Sequence, residues 1–408
     1  MRVLIIAEGK KNSANLNIAK KIRAEMERQG IEIYFAYYLT NQNVECNNES
    51  NEFIIQPDLT KRFITFRDGC KWKSFSKAEK VIWMLRNIKM TLSYLFLFID
   101  ERTGMNYAAS VIDRICEKNN IDVVLGITFP YIIAELISKV KKCKGKYIYQ
   151  LDPYTYNRML DSKDINRRLR KERKVIKSVS NCFTTDLIKR DLIDDVVLNE
   201  YKEKMVEIEF PLVEEEGIKN GEYTNIIDKE AGQISFLHAG SFYRDIRNPE
   251  KLARLFKLLP QNYILYVAGD NTNSILKYFN KNDRKIVDLG LLSAADAEEA
   301  RREADFLISY NNTIDNQVPS KLFECINSCK PFLNLCQIKN CPTLKYVREY
   351  NMACNYYIGN DNSIDAIVDF VEEKLGSVED KSVIMKRFKK CTTKYVVDKM
   401  LAYMKSDE

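Results

Sequence analysis

Two loops in the second half of the sequence combine residues that could bind an anion. The first loop, HAGSFYRDIRNPEKL, carries Gly240, Ser241, Arg244 and Arg247 within eight positions. Glycine lets a backbone approach a ligand, a helix N-terminus is partly positive, and an arginine can hold two anionic oxygens through parallel hydrogen bonds. These residues predict an anion site, although both arginines could equally be solvated surface charges.

The second loop, NQVPSKLFECINSCKPFL, places Lys321 and Glu324 three residues apart at the start of a predicted helix. Lys321 could neutralise a phosphate, while Glu324 could accept hydrogen bonds from vicinal hydroxyls such as those of a ribose. A second interpretation is purely structural. With Ser320 as N-cap, Glu324 would be a capping residue or a partner of the helix dipole.

Several other chemistries are disfavoured by what the sequence lacks. It contains neither GxGxxG nor GxxxxGK[ST], which argues against dinucleotide dehydrogenases and P-loop ATPases. Its single histidine, His238, ends an apolar run and is either a core residue or a ligand contact. The cysteines at 325, 329, 336 and 341 include no CxxC pair, so we expect them to pack in the core, without a metal or disulfides. We expect no cofactor.

The elements that must position these loops alternate between strand and helix. The opening RVLIIAE reads as a strand, and Leu16, Ile18, Ala19, Ile22 and Met26 follow at helical spacing until Gly30. The same rhythm recurs to about residue 185 and restarts at ISFLHAG, which predicts α/β architecture with parallel sheets. Ligands bind beyond the carboxyl ends of such strands, so the working loops should follow residues 7, 128, 151, 240, 269, 290 and 310.

The chain of 408 residues is long enough for two substantial domains. A charge-rich segment around 195–231 interrupts the rhythm and suggests the boundary. We predict one domain over residues 1–200, a second over 201–385, and a helix over 386–408 that packs back towards the first domain. The modest net charge of +7 gives no reason to expect a nucleic-acid partner.

The ordered series of motifs in residues 234–335 resembles the donor domain of GT-B glycosyltransferases, especially the family 4-like enzymes of bacterial surface polysaccharide synthesis. The matching segments are HAGSFYRDIRNPEKL, YVAGD, VDLGLLSAADAEEARREADFLISYNN and VPSKLFECINSCKPFL. The resemblance implies two Rossmann-like domains with a deep interdomain cleft that holds a nucleotide diphosphate sugar as substrate. The first half agrees only in its α/β rhythm.

The resemblance also implies a role for each matching residue. Arg247, with Arg244, and Lys321 would contact the donor diphosphate, and Glu324 would contact the ribose. The loop after Gly290, with Leu291 and Leu292, would approach the base. One departure concerns the sugar: many members carry an acidic residue eight positions before the glutamate, where this chain has Asn316. Asn316 and Gln317 could still hydrogen-bond sugar hydroxyls.

The expected activity is therefore transfer of a sugar to a glycan or lipid-linked acceptor, retaining and metal-independent as in the family. Two alternatives remain open: a GT-B nucleotide-sugar epimerase, and a catalytically silent GT-B-like binding or scaffold protein. No catalytic side chain can be named from the sequence.

Two stretches of the first half suggest a membrane surface. Residues 161–177 carry eight basic and three acidic residues on a predicted helix, which is either a solvated face or a contact with anionic lipid. Residues 72–99 contain Trp72, Trp83 and an apolar end from 90 to 99, too short to span a bilayer. We expect a cytoplasmic protein, because no signal peptide is visible, and we hypothesise peripheral attachment to the inner face of the plasma membrane.

Overall fold

The computed structural model describes ten segments of the chain, and only the backbone of residues 88–103 and 406. The segments are residues 1–10, 13–39, 51–55, 76–78, 88–160, 162–214, 225–243, 246–280, 283–358 and 363–406. They form two compact units: residues 1–211 together with 393–408, and residues 212–392.

The first unit is built on seven parallel strands in the order β3-β2-β1-β4-β5-β6-β7. Order 3-2-1-4-5-6 is that of a Rossmann fold, here extended by a seventh strand. Its central strands are continuous apolar runs because helices cover both faces of a parallel sheet. The strands are β1 (Arg2–Glu8), β2 (Glu32–Tyr38), β3 (Glu52–Ile55), β4 (Val123–Thr128), β5 (Gly145–Gln150), β6 (Asn181–Thr184) and β7 (Met205–Glu207).

The first helix shows how local sequence defines these elements. Ser13 accepts a hydrogen bond from the Leu16 amide at 3.1 Å and caps the helix, and Gly30, with φ of +78°, follows its end. The predicted apolar face, including Ile22 and Met26, is buried, which confirms that prediction. The helices of this unit are α1 (Ala14–Arg28), α2 (Ile88–Asn119), α3 (Ile132–Lys139), α4 (Ile165–Ser178), α5 (Asp186–Ile193) and α6 (Val196–Asn199).

The apolar segment proposed to lie at a membrane falls mostly outside the described residues. Trp72, Trp83 and the side chains of the run from 90 to 99 are all among the undescribed groups, although the backbone of that run belongs to α2. Among the parts of the chain that the structure describes, no helix combines the length and the apolar character needed to cross a bilayer.

The second unit contains six parallel strands in the order β10-β9-β8-β11-β12-β13, again the Rossmann order. Two parallel sheets with flanking helices confirm the predicted α/β fold. The sequence predicts five of these strands, as ISFLHAG, YILYVAG, KIVDLG, DFLISY and KPFLNLC, and does not predict β13. The strands are β8 (Ile234–Ala239), β9 (Tyr263–Ala268), β10 (Ile286–Gly290), β11 (Phe306–Tyr310), β12 (Phe332–Cys336) and β13 (Ala353–Tyr357).

The last helix of the chain packs on the first unit, as predicted. The Tyr147 hydroxyl donates to the Tyr403 carbonyl at 3.3 Å, and the Gln29 amide donates to Asp398 at 2.7 Å. The remaining helices are α7 (Pro249–Leu258), α8 (Ala294–Glu303), α9 (Lys321–Asn327), α10 (Leu344–Val347), α11 (Asp365–Lys374), α12 (Lys381–Arg387) and α13 (Thr393–Ser406).

The cysteine cluster of the second unit is buried in the core. Cys325, Cys329, Cys336 and Cys341 are each less than a tenth exposed, and each is a free thiol. Across the described residues, no group of three or more histidine, cysteine, aspartate or glutamate side chains is arranged to hold a metal ion. Their burial agrees with the packing interpretation, and Cys336 and Cys341 also share hydrogen bonds there with Asn334 and Thr343.

Candidate functional site

The loops singled out in the sequence flank the point where the second sheet reverses its strand order. Strands β8 and β11 are neighbours there, but the chain continues from β8 towards β9 and from β11 towards β12. In an open parallel sheet this reversal leaves a crevice beyond the carboxyl ends of the two strands, which is where ligands bind. The loop after β8 (240–248) and the loop after β11 (311–320) thus border one crevice.

Glycines bring three strand ends close together at this edge. The Gly240 amide donates to the Ala268 carbonyl at 2.8 Å, and the Gly269 amide donates to the Gly290 carbonyl at 2.7 Å. Gly269 has φ of +140°, and a Cβ atom there would lie 2.9 Å from the Gly240 carbonyl carbon. Only a residue without a side chain permits that approach, so the sheet edge presents backbone to a ligand.

Arg247 is held in place by both side-chain and backbone contacts. Its Nε donates to Asn312 Oδ1 at 2.7 Å, and its amide donates to the Tyr243 carbonyl at 2.7 Å. The first contact joins the two loops that border the crevice. Burial lowers the pKa of Arg247, yet a guanidinium remains charged at neutral pH. Ser241 is half-buried in the same loop, whereas Arg244 lies outside the described residues.

His238 lies directly beneath this loop, near the end of β8. Its ring packs against Phe242 and Tyr310 at centroid distances of 5.1 Å and 6.0 Å, and it is 2% exposed. Nδ1 lies 3.4 Å from the Ile308 carbonyl oxygen, while Nε2 is buried and has no hydrogen-bond partner among the described residues. Burial, followed by the nearby charge of Arg247, lowers the pKa of His238 to about 3. The imidazole is therefore neutral at physiological pH.

Lys321 and Glu324 form an ion pair at the start of α9. Lys321 Nζ donates to the two carboxylate oxygens at 2.9 Å and 3.0 Å. Ser320 precedes the helix and makes no capping hydrogen bond through its side chain in the described contacts, while Glu324 in the first turn stays a candidate partner of the helix dipole. Lys321 is also among the charges that lower the pKa of His238.

Arg301 on α8 is a site residue that the sequence analysis missed. Its NH1 donates to Glu324 Oε2 at 2.8 Å, and its guanidinium also binds Glu298. Although burial opposes the charged form, the carboxylates of Glu324 and Glu298 raise the pKa of Arg301 overall. Glu324 is thus balanced by two cations. The pairing depends on how α8 lies beside α9, which residue spacing does not reveal.

The residues proposed for the sugar and the base occupy different environments. Asn316 is 2% exposed and Gln317 is half-buried in the loop after β11. Leu291 is 81% exposed and Leu292 is half-buried in the loop after β10. Because β10 is two strands from β8, the base loop begins roughly 10 Å from the end of β8.

Gln337, which follows β12, completes the polar groups beneath the crevice. Its side-chain nitrogen donates to the carbonyls of Ile246 and Asn311, at 2.6 Å and 2.7 Å. Gln337 and Asn312 were both missed, although each follows a predicted strand at the carboxyl edge. The rule that selected the other working loops would have found Gln337 if it had been applied after residue 336.

The fold defined by these two Rossmann-like units is that of the GT-B glycosyltransferases. HepE from Anabaena, in a structure with bound UDP, matches with a TM-score of 0.61, 10% identity and 100% coverage of both chains. WaaG, a glycosyltransferase involved in lipopolysaccharide biosynthesis, matches with a TM-score of 0.53, 12% identity and 99% coverage of both chains.

A protein of Listeria monocytogenes described as a UDP-N-acetylglucosamine 2-epimerase shares the same fold. It matches with a TM-score of 0.56 and 10% identity, over 99% of this chain and 96% of its own. No family model matches the sequence, and no curated protein was found to match it. At these identities the structural likeness establishes the fold and leaves the activity to be argued from the site.

Proposed function

We propose that the chain is a glycosyltransferase that takes a sugar from a nucleoside diphosphate sugar. The observation that carries this proposal is that Arg247, in the loop after β8, and Lys321, the first residue of α9 after the loop that follows β11, border the same crevice. Two cations beside a backbone edge suit a diphosphate. Glu324, held by Arg301, supplies acceptor oxygens for ribose hydroxyls at the start of α9.

The same cations suggest how the reaction is accelerated. As the bond from sugar to diphosphate breaks, negative charge grows on the departing phosphate oxygens. Arg247, Lys321 and the backbone near Gly240 would stabilise that charge: Asn312 already holds Arg247 in place, and Lys321 would turn from Glu324 to the phosphate. We propose that the reaction needs no divalent metal, so activity should survive chelation by EDTA. Retention of anomeric configuration is part of the proposal and can be read by NMR of the product.

Binding of UDP tests the donor site. The matched structures of HepE and of S. aureus MnaA contain UDP, so UDP is the first probe and other nucleoside diphosphates follow. We expect Arg247→Ala and Lys321→Ala each to weaken UDP binding about 10- to 100-fold, the range for one hydrogen bond between charged groups. Uridine, which lacks phosphate, should bind both variants like wild type. Isothermal titration calorimetry measures each case.

Arg254→Ala is the matched control for this test. Arg254 is an exposed arginine on α7, the helix that directly follows the loop, and it pairs only with Glu250 in the described contacts. Its removal should leave UDP binding unchanged. If Arg247→Ala and Lys321→Ala bind UDP as wild type does, the assignment of these residues to the diphosphate is wrong.

The acceptor is proposed to be a glycan or a lipid-linked glycan held by the first unit. A cavity of about 380 Å³ lies there beside the loop after β5, lined by Tyr156, Arg158, Arg168, Asp191 and Asp194 among others. This size and this mixture of ring and charged side chains would suit sugar hydroxyls. Release of UDP that rises on addition of a glycan acceptor would support transfer.

The basic helix α4 is the basis for the proposed location on the cytoplasmic face of a membrane. Part of its charge is used internally, because Lys171 pairs with Glu135 at 3.0 Å and Arg173 pairs with Glu200 at 2.7 Å. Arg168 is buried and donates to the Thr155 carbonyl. Flotation with anionic liposomes at low salt tests whether the other basic residues of α4 bind anionic lipid. If the protein does not bind the liposomes, the proposed membrane location is wrong.

An epimerase is the second candidate because one match of the same fold has that description. Epimerisation would convert a UDP-sugar without any acceptor and without releasing sugar from UDP. Proton NMR of a UDP-sugar incubated with the protein separates the two activities. Binding of UDP without turnover of any donor would instead favour a silent binding protein.

A further inference from the structure

Gln337 connects the two loops that border the crevice through a single side-chain amide group. Its Nε2 donates one hydrogen bond to the Ile246 carbonyl, at 2.6 Å, and another to the Asn311 carbonyl, at 2.7 Å. Ile246 belongs to the loop after β8, and Asn311 begins the loop after β11. Gln337 itself follows β12, so its side-chain nitrogen links the segments that follow β8, β11 and β12.

The two carbonyls lie next to the residues that hold the proposed phosphate ligand. Ile246 precedes Arg247, Asn311 precedes Asn312, and Arg247 Nε donates to Asn312 Oδ1 at 2.7 Å. A further hydrogen bond, from the Thr313 amide to the Ile246 carbonyl at 3.1 Å, ties the same loops. Gln337 therefore fixes the backbone next to Arg247 and next to Asn312, the two residues whose contact orients the guanidinium.

The orientation of the Gln337 amide is determined by its partners. Both partners are carbonyl oxygens, so the reversed amide would place Oε1 against two acceptors. In the orientation observed, Oε1 is buried without a hydrogen-bond partner in the described part of the chain, and the residue is only 4% exposed. A buried, unsatisfied carbonyl costs about 1–3 kcal/mol. An apolar side chain of similar shape would avoid this cost but could not join the loops.

We propose that Gln337 is a positioning residue for diphosphate binding, acting through Arg247. This inference rests on the proposed function of Arg247 as a diphosphate ligand. It assigns Gln337 no contact with the donor itself. A guanidinium that is misplaced by a fraction of an ångström loses the paired geometry that makes arginine selective for phosphate oxygens. Loss of Gln337 should therefore reduce phosphate recognition and leave recognition of the nucleoside intact.

A double-mutant cycle separates positioning from general stability. Gln337→Met keeps the length of the side chain and removes both donors. We expect this variant to bind UDP about tenfold more weakly and uridine as wild type does. In an Arg247→Ala background the same substitution should change UDP affinity less than about twofold, because the residue it positions is absent.

Asn327→Leu is the control for losing a partly buried side-chain amide contact at the C-terminal end of α9. Asn327 Nδ2 donates to the Leu212 carbonyl at 2.6 Å, and its oxygen accepts from the Glu214 amide. Its substitution should lower the melting temperature without changing the affinity for UDP. If Gln337→Met does not fold, Gln337→Asn, which keeps the amide but shortens the reach by one methylene, gives the same comparison and the same expected direction.

The possible results distinguish the inference from the function on which it rests. If Arg247→Ala weakens UDP binding and Gln337→Met does not, Gln337 is not a positioning residue and the proposed function stands. An equal loss of UDP affinity from Gln337→Met in the wild-type and Arg247→Ala backgrounds also overturns the inference. If the wild-type protein binds no nucleoside diphosphate, the proposed function itself fails.

Discussion

His238 should remain unprotonated at pH values where a free imidazole is already charged. Burial of the ring, followed by the charges of Arg247 and Lys321, lowers its pKa from 6.5 to about 3, while the Ile308 carbonyl opposes this shift. The folded chain then binds fewer protons than the unfolded chain between those two pH values. Stability must therefore fall as the pH falls through this window. Where the ring is protonated in the unfolded chain and neutral in the folded chain, each pH unit changes the free energy of unfolding by about 1.4 kcal/mol.

Between pH 6.5 and pH 4.5 this linkage removes about 2 kcal/mol of unfolding free energy. Because the chain has only one histidine, NMR of histidine-labelled protein without an affinity tag reports this group alone. We expect the ring to show no titration between pH 8 and pH 5. Urea unfolding of wild type and of His238→Phe, which keeps the packing on Phe242 and Tyr310, measures the free-energy change.

Between pH 6.5 and pH 4.5 the free energy of unfolding of His238→Phe should fall by about 2 kcal/mol less than that of wild type, since phenylalanine does not titrate. The control is the same pair of measurements between pH 7 and pH 8, where both proteins should respond alike. A folded-state pKa near 6.5 would refute the reasoning, because the ring would then be either hydrated or distant from both cations. An unchanged pH dependence in His238→Phe would refute it independently.

Two further substitutions test neighbouring parts of the site. Arg301→Met should weaken UDP and uridine binding alike by about 3- to 10-fold, because Glu324 loses the partner that orients it. Calorimetry compares this variant with Arg302→Met. Arg302 pairs with Glu299, so that variant should bind UDP as wild type does. Gly269→Ala should destabilise the chain by about 1–3 kcal/mol and weaken UDP binding, because its Cβ meets backbone. Gly232→Ala is the control, because Gly232 also has a positive φ but a Cβ atom there would meet open space. Urea unfolding should show a smaller loss of stability for this variant, and calorimetry should show no loss of UDP affinity.

The strand ends could be predicted from sequence because the central strands of both sheets are buried on both faces. Runs such as those of β8 and β11 consist almost wholly of apolar residues, and each is followed at once by polar or glycine residues. Their parallel arrangement then brings the following loops to one edge. That reasoning located the loops of Gly240, Leu291 and Lys321 without any coordinates.

The outer strands were harder to recognise because their burial is incomplete. β13 reads ACNYY, with only one of its five residues fully buried, and β3 and β7 have four and three residues. A short strand at or near a sheet edge carries no continuous apolar run, since one side faces solvent or a neighbouring loop. Hydrogen bonds to a neighbouring strand define it, and these depend on the assembled sheet.

The contacts that organise the site were invisible for a related reason. Arg301 and Glu324 are 23 residues apart, and Gln337 and Ile246 are 91 residues apart. Each pair meets only because the strands between them occupy particular positions in the sheet. Residue type predicted which side chains could bind a phosphate or a ribose, while the sheet order determines which other side chains hold them.

The arrangement around Glu324 resolves an apparent conflict between its ion pair and its proposed role. In the free chain Lys321 donates to both oxygens of Glu324, so a phosphate must compete with a carboxylate for the same ammonium group. Losing its only cation would leave a partly buried carboxylate unpaired, which is costly. Arg301 removes that difficulty, because it retains Oε2 of Glu324 at 2.8 Å whichever way Lys321 turns. Under the proposed function, Lys321 would then pass to the diphosphate while Glu324 stays oriented to accept the ribose hydroxyls.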